Sequence, residues 1–231
     1  MRKNTYYIGL ILVIVAIGTF AVVEIARRFG NDSVTDANRH TIGKDGGALV
    51  KLGKAPSFSF TNQHNQTITD KDYQGKVYVV DFFFVNCPTI CPIMSKNMVK
   101  IQNAFKDKNI GFASFTINPA MDTPEVLKAY AEQYGVTNPH WHFLTGKTED
   151  IYDLANKSFN IYAGEGDESV GGFEHSGLFA LIDQDGNIVC RKDEHGNPIV
   201  YYDGLNDEGI NMLITDIKKI ALIICFQNCS E

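Results

Sequence analysis

Hydrophobic positions fall along the chain in three regimes. Tyr6 to Val23 is a run of 18 residues without a charge, bounded by Arg2 and Lys3 before it and by Glu24, Arg27 and Arg28 after it. As a helix it spans ~27 Å, close to the ~30 Å hydrocarbon core of a bilayer. No Ala-x-Ala-like site follows the run and no Cys sits there for lipidation, so residues 1–28 are expected to be an uncleaved transmembrane anchor. Basic residues flank both ends, and charge alone does not orient it. The segment is not an Arg/Ser-rich amphipathic presequence, which favours a bacterial membrane over a mitochondrial one. Residues 29–54 turn small and polar and read as a flexible tether with a reach of ~25–30 Å. From 55 to 231 strand-like and helix-like periods alternate, as in one globular domain.

Within that domain, Phe58–Phe60 and Thr67–Thr69 pattern as a short hairpin. Lys76–Val85 (KVYVVDFFFV) is almost continuously apolar, the signature of a strand buried on both faces of a sheet. Met98, Ile101, Ala104 and Phe105 carry helical spacing across residues 95–108, and Ile110–Ile117 predicts a second strand. Asp122-Thr-Pro-Glu125 is a helix start, with a capping side chain, Pro in the first turn and an acid near the positive helix end. That helix runs to about Tyr134. A strand over Trp141–Leu144, a helix over Thr148–Phe159 and a strand over Leu178–Ile182 follow. A Gln-Asp-Gly-Asn turn then leads to an interrupted hairpin arm from Ile188 to Tyr202. Residues 208–224 close the chain as a helix, with Ile210, Leu213, Ile214, Ile217, Ile220 and Ala221 on one face. Strands alternating with helices, then a closing hairpin and helix, predict an α/β domain with a mixed central sheet, for which a thioredoxin-like fold is the natural candidate.

Charge is unevenly spread. Residues 1–54 carry eight Lys/Arg against four Asp/Glu, and residues 55–231 carry 13 against 23. An acidic domain without a basic stripe excludes nucleic-acid binding, which requires neutralised phosphates.

The chemistry sits in the cysteines. Cys87-Pro-Thr-Ile-Cys91-Pro92 falls where a buried strand turns into a helix, the place in an open α/β sheet where ligands gather. The positive helix end favours thiolates, which are both nucleophiles and soft ligands suited to Cu(I). In an oxidising compartment the same pair can close a disulfide. Zinc is the weaker reading, because a closed zinc site wants four ligands and only two sulfurs are evident. His175, in the flexible-looking segment GGFEHSG before the Leu178 strand, is the histidine placed to approach that pair if its strand neighbours Val77–Val85. Taken alone, a His before a strand is more often a surface residue than a ligand.

In order along the chain, FFFVNCPTICP, INPAMDTPEVLKAY, WHFLTG, EHSGLFALIDQDGNI and YYDG resemble the SCO/SenC family over residues ~55–224. Those are membrane-tethered, thioredoxin-like copper proteins that help assemble the copper A centre of cytochrome c oxidase. The resemblance implies that Cys87, Cys91 and His175 hold Cu(I) or Cu(II), and that a copper-receiving subunit of a terminal oxidase is the partner. It also implies a cell-membrane location with the domain on the extracytoplasmic side. The sequence departs from the family pattern at three places. Thr89 stands where many members carry an acid, Asn118 replaces the Asp usual before Pro119, and CRKDEHGNP lengthens the hairpin after Ile188.

Other residues have plainer readings. His140 and His142 flank Trp141 and are expected to be surface histidines rather than a second metal site. Met94, at helical spacing from Cys91, is expected in the core although its thioether could ligate Cu(I). Cys225 and Cys229 repeat the spacing of the first pair without a nearby His, and a non-catalytic role is expected; Cys190 carries no signal. Glu165, Asp167, Glu168 and Glu174 form an acidic, solvated approach to His175. The rival function is a thiol–disulfide oxidoreductase using Cys87 and Cys91, with peroxidase chemistry a weaker third. Thioredoxin-type reductases typically use Cys-x-x-Cys and a Pro before the later strand. Here the spacing is one residue longer and no Pro occurs between Pro139 and Pro198, which favours the copper protein.

Overall fold

The computed structural model describes residues 49–106, 108–167 and 171–228, together with Thr19. The chain divides into two units, Met1–Ile42 and Gly43–Glu231, and every element below belongs to the second. The expected anchor and most of the expected tether lie outside the described residues. Among the described residues, no helix is long and apolar enough to cross a membrane.

Three parallel strands form the centre: β4 (Val77–Phe83), β5 (Ile110–Thr116) and β6 (Trp141–Thr145). Every residue of β4 and β5 is buried, as the unbroken apolar run requires of strands covered on both faces. Antiparallel strands flank this centre. On one side lie β9 (Leu178–Ile182), β10 (Asn187–Lys192) and β1 (Val50–Lys54); on the other lie β2 (Ser59–Asn62) and β3 (Thr67–Thr69). The order is β1-β10-β9-β4-β5-β6-β2-β3. Two-residue strands β11 (Pro198–Ile199) and β12 (Tyr202–Asp203) pair with β10 and β9. The mixed α/β sheet is therefore the one expected.

The helices are α1 (Cys91–Ala104), α2 (Pro124–Tyr134), α3 (Thr148–Tyr152) and α4 (Asp207–Asn228). Helix α1 begins at Cys91, earlier than its apolar spacing shows, because Pro92 is at home in a first turn. Helix α2 is capped by Thr123, whose side chain accepts from Val126 N–H, and ends at Gly135 in the left-handed region. Asp122 is free for another task, taken up below. The helix expected over Thr148–Phe159 widens after Tyr152 into π-type turns, Asp153–Phe159. Aromatic packing fills the middle of the sheet: Phe82 stacks on Phe115 at 5.4 Å, and Phe115 meets Phe58 and Phe60 edge-on. Each fully buried ring contributes about 1.5–3 kcal/mol.

Three features depart from expectation. Strand β1 lies in the stretch read as tether. It is mostly exposed and carries no alternation, and it is held by pairing with β10 and by Lys51, whose ammonium lies 2.9 Å from both Asp183 and Asp185. The lengthened hairpin repeats its own turn. In DQDGN and in DEHGN the leading Asp (Asp183, Asp193) accepts from the backbone N–H groups two and four residues on, and Gly186 and Gly196 take positive φ. Finally, His175 lies on a strand, not in a flexible loop. β7 (Ala163–Glu165) and β8 (Phe173–His175) form a separate two-stranded sheet. Gly171, Gly172 and Gly177 around β8 conceal it in the sequence, since three residues are too few to show a period.

Candidate metal centre

Strand β4 delivers the chain to the site. Beyond Phe83 it runs through Phe84 and Val85 to Cys87, and Asp122 fixes that exit: its buried carboxylate accepts from Val85 N–H at 3.1 Å and, at closer range, from Thr116 Oγ1. The Asn118–Asp122 turn, whose Asn118 carbonyl accepts from Met121 and Asp122 N–H, is thereby bound to the chain that presents Cys87. Cys91 opens α1, and its backbone N–H points to Cys87 Sγ at 3.4 Å. Strand β9 is the antiparallel neighbour of β4, so the segment leading into β9 lies beside the segment leaving β4. His175 arrives on that segment.

The three side chains meet. Cys91 Sγ and His175 Nε2 are 3.0 Å apart, and the two sulfurs and a ring nitrogen all lie within 4.8 Å of one another. Among the described residues this is the one cluster of His, Cys, Asp or Glu side chains that could hold a metal ion. His175 Nδ1 lies 3.1 Å from Ser176 C=O, a contact that holds the ring with Nε2 toward the sulfurs. The Phe84 ring stands edge-on to His175 at 6.0 Å. A cavity of about 240 Å³ opens over the site, lined by Phe84, Cys87, Tyr162, Phe173 and His175 among others.

The two thiols differ. Cys87 is pulled down to about 3, chiefly by the hydrogen bond from the Cys91 thiol, with His175, the Cys91 N–H and the Thr89 hydroxyl acting in the same direction against the opposing effect of burial. Cys91, with no exposure at all, is pushed well up by burial first and by the neighbouring Cys87 second. The pair therefore consists of one stable thiolate and one buried thiol. A depressed pKa keeps Cys87 ionised as pH falls, so iodoacetamide at pH 5 is expected to alkylate Cys87 while sparing Cys91 and Cys190. Peptide mapping would read this out; labelling of Cys87 that begins only above about pH 8, the ordinary thiol range, would refute it.

Sequence reasoning missed Asp81. It is the lone carboxylate in KVYVVDFFFV, which is the signal that marks it. Burial pushes it up to about 7 although Ser114 Oγ–H donates to it at 2.6 Å, and it lies within electrostatic range of both His175 and Cys91. Of the remaining candidates among the described residues, Glu174 alone lines the cavity over the site. Met94 is buried in the core, as expected. Cys190 is buried on β10, its thiol pushed up to about 11 by burial. His140 and His142 are half-buried rather than superficial. His142 Nδ1 lies 3.2 Å from the Asn62 amide nitrogen, and burial pulls its pKa down to about 4. Glu165 and Glu174 are exposed on β7 and β8. Glu168, Cys229 and the Cys225 side chain lie outside the described residues.

A thioredoxin-like α/β sheet presenting two cysteines and a histidine at the exit of its central strand defines a thiol-based, soft-metal-binding domain. The sequence profile of the SCO1/SenC family matches residues 50–208, and the chain belongs to that family. The SCO1 protein homolog of Bacillus subtilis (strain 168) is 32% identical over 171 residues, covering 72% of this chain and 82% of that protein. Among solved structures, a SCO1/SenC family lipoprotein from Bacillus anthracis str. Ames is 33% identical with a TM-score of 0.65, over 74% of this chain and 97% of the other. BsSco, a member of the Sco family of cytochrome c oxidase assembly proteins in which a disulfide switch has been identified, is 28% identical with a TM-score of 0.62, over 75% and 96%. Bradyrhizobium japonicum ScoI, solved with copper bound, shares the fold at 23% identity and a TM-score of 0.57, over 72% and 99%.

Proposed function

We propose that this protein is a membrane-tethered copper metallochaperone that carries copper on Cys87, Cys91 and His175 and delivers it to a copper-receiving subunit of a terminal oxidase. The observation that carries this reading is the convergence of two sulfurs and one imidazole nitrogen within 4.8 Å from positions as far as 88 residues apart (87 to 175). Two thiolates suit Cu(I), and the added imidazole suits Cu(II). Copper is cargo here, and the cavity beside Cys87 leaves room for an incoming sulfur ligand. Residues 1–28 anchor the chain in the cell membrane as a single span, and the domain works on the extracytoplasmic side at the end of its tether. The BsSco and copper-bound ScoI relatives support the reading.

A second reading rests on the unequal thiols. A stable Cys87 thiolate next to a protonated Cys91 is the arrangement of an attacking and a resolving cysteine, and would allow reduction of a partner disulfide. The substitution His175→Ala separates the two. It leaves two sulfurs for Cu(I) but is expected to weaken Cu(II) binding more than about a hundredfold, while the thiol pair still undergoes exchange. In cells lacking the wild-type protein, the variant should fail to restore oxidase activity. Full rescue would sink the metallochaperone reading and leave the oxidoreductase.

A further inference from the structure

His175 stands on a hairpin that is not hydrogen-bonded into the main sheet, although its β8 arm leads directly into β9. Among the described residues, strands β7 and β8 pair only with each other, and a free two-stranded hairpin is marginal in water. Gly171 and Gly172, both at positive φ, lie just before β8 and add no stiffness. Ser176 N–H donates to Tyr162 C=O at 3.1 Å, joining the two arms beyond the ladder, and on the β8 side Phe84 packs on Phe173 and His175.

The β7 side is secured from the π-type turns: Ile161 N–H donates to Ala155 C=O at 2.9 Å just before the strand, and Asn156 holds the strand itself. Ala163, buried and directly opposite His175 in the register, donates its N–H to Asn156 Oδ1 at 3.0 Å, and its C=O accepts from Asn156 Nδ2 at 2.7 Å. In an antiparallel strand the N–H and C=O of one residue point to the same edge. Both groups of Ala163 are therefore directed away from β8 and satisfied by a single carboxamide. A carboxamide is chemically a peptide group, with one acceptor oxygen and donor hydrogens, so Asn156 stands in for the strand that β7 lacks. Asn156 belongs to the π-type turns Asp153–Phe159, whose Phe159 packs against Phe82 of the core strand β4. The clamp thus ties the histidine hairpin to the strand that presents the cysteines.

We propose that Asn156 is the positioning residue that holds His175 in register over Cys91. The inference rests on the reading of His175 as a copper ligand only for its consequence in metal binding; the clamp itself is a matter of backbone geometry. Ala offers neither hydrogen bond, Asp offers an acceptor but no donor, and Gln keeps both at the expense of an extra methylene.

The test uses the full chain in detergent micelles, titrated separately with Cu(I) and Cu(II), with hydrogen exchange recorded for the metal-free protein. In Asn156→Ala, exchange of the Ser176 amide should quicken at least about tenfold while β4 and β5 amides keep their protection. Cu(II) affinity should fall about 10- to 100-fold with an altered visible and EPR spectrum, and Cu(I) affinity should stay within about threefold. Asn156→Gln should restore much of the Cu(II) signature, and Ser158→Ala, a hydroxyl change in the same turns, should change nothing. Should the Ala variant fail to fold, Asn156→Asp carries the test with an intermediate effect. A wild-type Cu(II) spectrum in Asn156→Ala, or equal losses of Cu(I), Cu(II) and core protection, would overturn the proposal. A wild type that binds no copper would overturn the proposed function instead, and the Ser176 amide would still decide the role of Asn156.

Discussion

Oxidation of the reduced protein to a Cys87–Cys91 disulfide is expected to abolish copper binding, from one equivalent per chain to none, until a thiol reductant restores it. Both cysteines are free thiols in the structure. Cys91 N–H already lies 3.4 Å from Cys87 Sγ, so the two sulfurs share one small volume. A metal ligates the thiolate, and a disulfide sulfur offers no comparable charge or lone-pair strength. The remaining ligand, His175, would hold copper alone, and a single imidazole cannot compete with buffer ligands. Cu(I) titration of the oxidised and reduced forms is the direct measurement. Equal uptake by both would place the metal elsewhere, and the Cys225→Ser, Cys229→Ser double change would then test the second pair. The same linkage lets redox state gate copper loading, because whatever reduces the pair also opens the site.

The second large effect is on stability. Asp216 of α4 is completely buried and accepts from Arg191 Nε–H at 2.8 Å and from Tyr202 O–H at 2.9 Å; Lys219 Nζ lies 3.2 Å from its other oxygen. One carboxylate thus ties the closing helix to β10 and to β12. Asp216→Ala removes the acceptor and leaves Arg191, 13% exposed, as an unpaired cation against the core. The expected loss is about 3–5 kcal/mol, or roughly 10 °C in melting temperature for a domain of this size. Asp216→Asn should cost less, since it keeps an acceptor oxygen. Replacing Arg191 with Met and Asp216 with Leu together should recover part of the loss, because the Arg191 charge is removed with its partner while the buried Tyr202 hydroxyl still lacks an acceptor. A melting temperature within 2 °C of wild type for Asp216→Ala would show, by the same scaling, that the helix is held by its apolar face alone.

Much of the fold is legible without coordinates because burial leaves a period. β4 and β5 read as strands since both of their faces are covered, and Met98 and Ile101 mark the packed face of α1. The cysteine pair is legible for the same reason: it follows a long, nearly continuous apolar run and precedes a helix-starting Pro. His175 is different. Its place before the Leu178 strand marks it only if that strand neighbours β4, and the resemblance to a family is what makes it a ligand rather than a surface residue.

Residue order alone reveals the elements whose hydrophobic faces are long enough to show a period, and the place where two thiols meet a helix start. Which distant groups complete the site follows from strand pairing and folding. The antiparallel pairing of β9 with β4 brings His175 to Cys91 across 84 residues. Asn156, Asp122 and Asp216 each act through two hydrogen bonds to neighbouring strands or loops. Such contacts leave no pattern in composition or spacing. A hydrogen bond is made by one atom at one distance, whereas a hydrophobic face is made by every third or fourth residue along a helix, or every second along a strand.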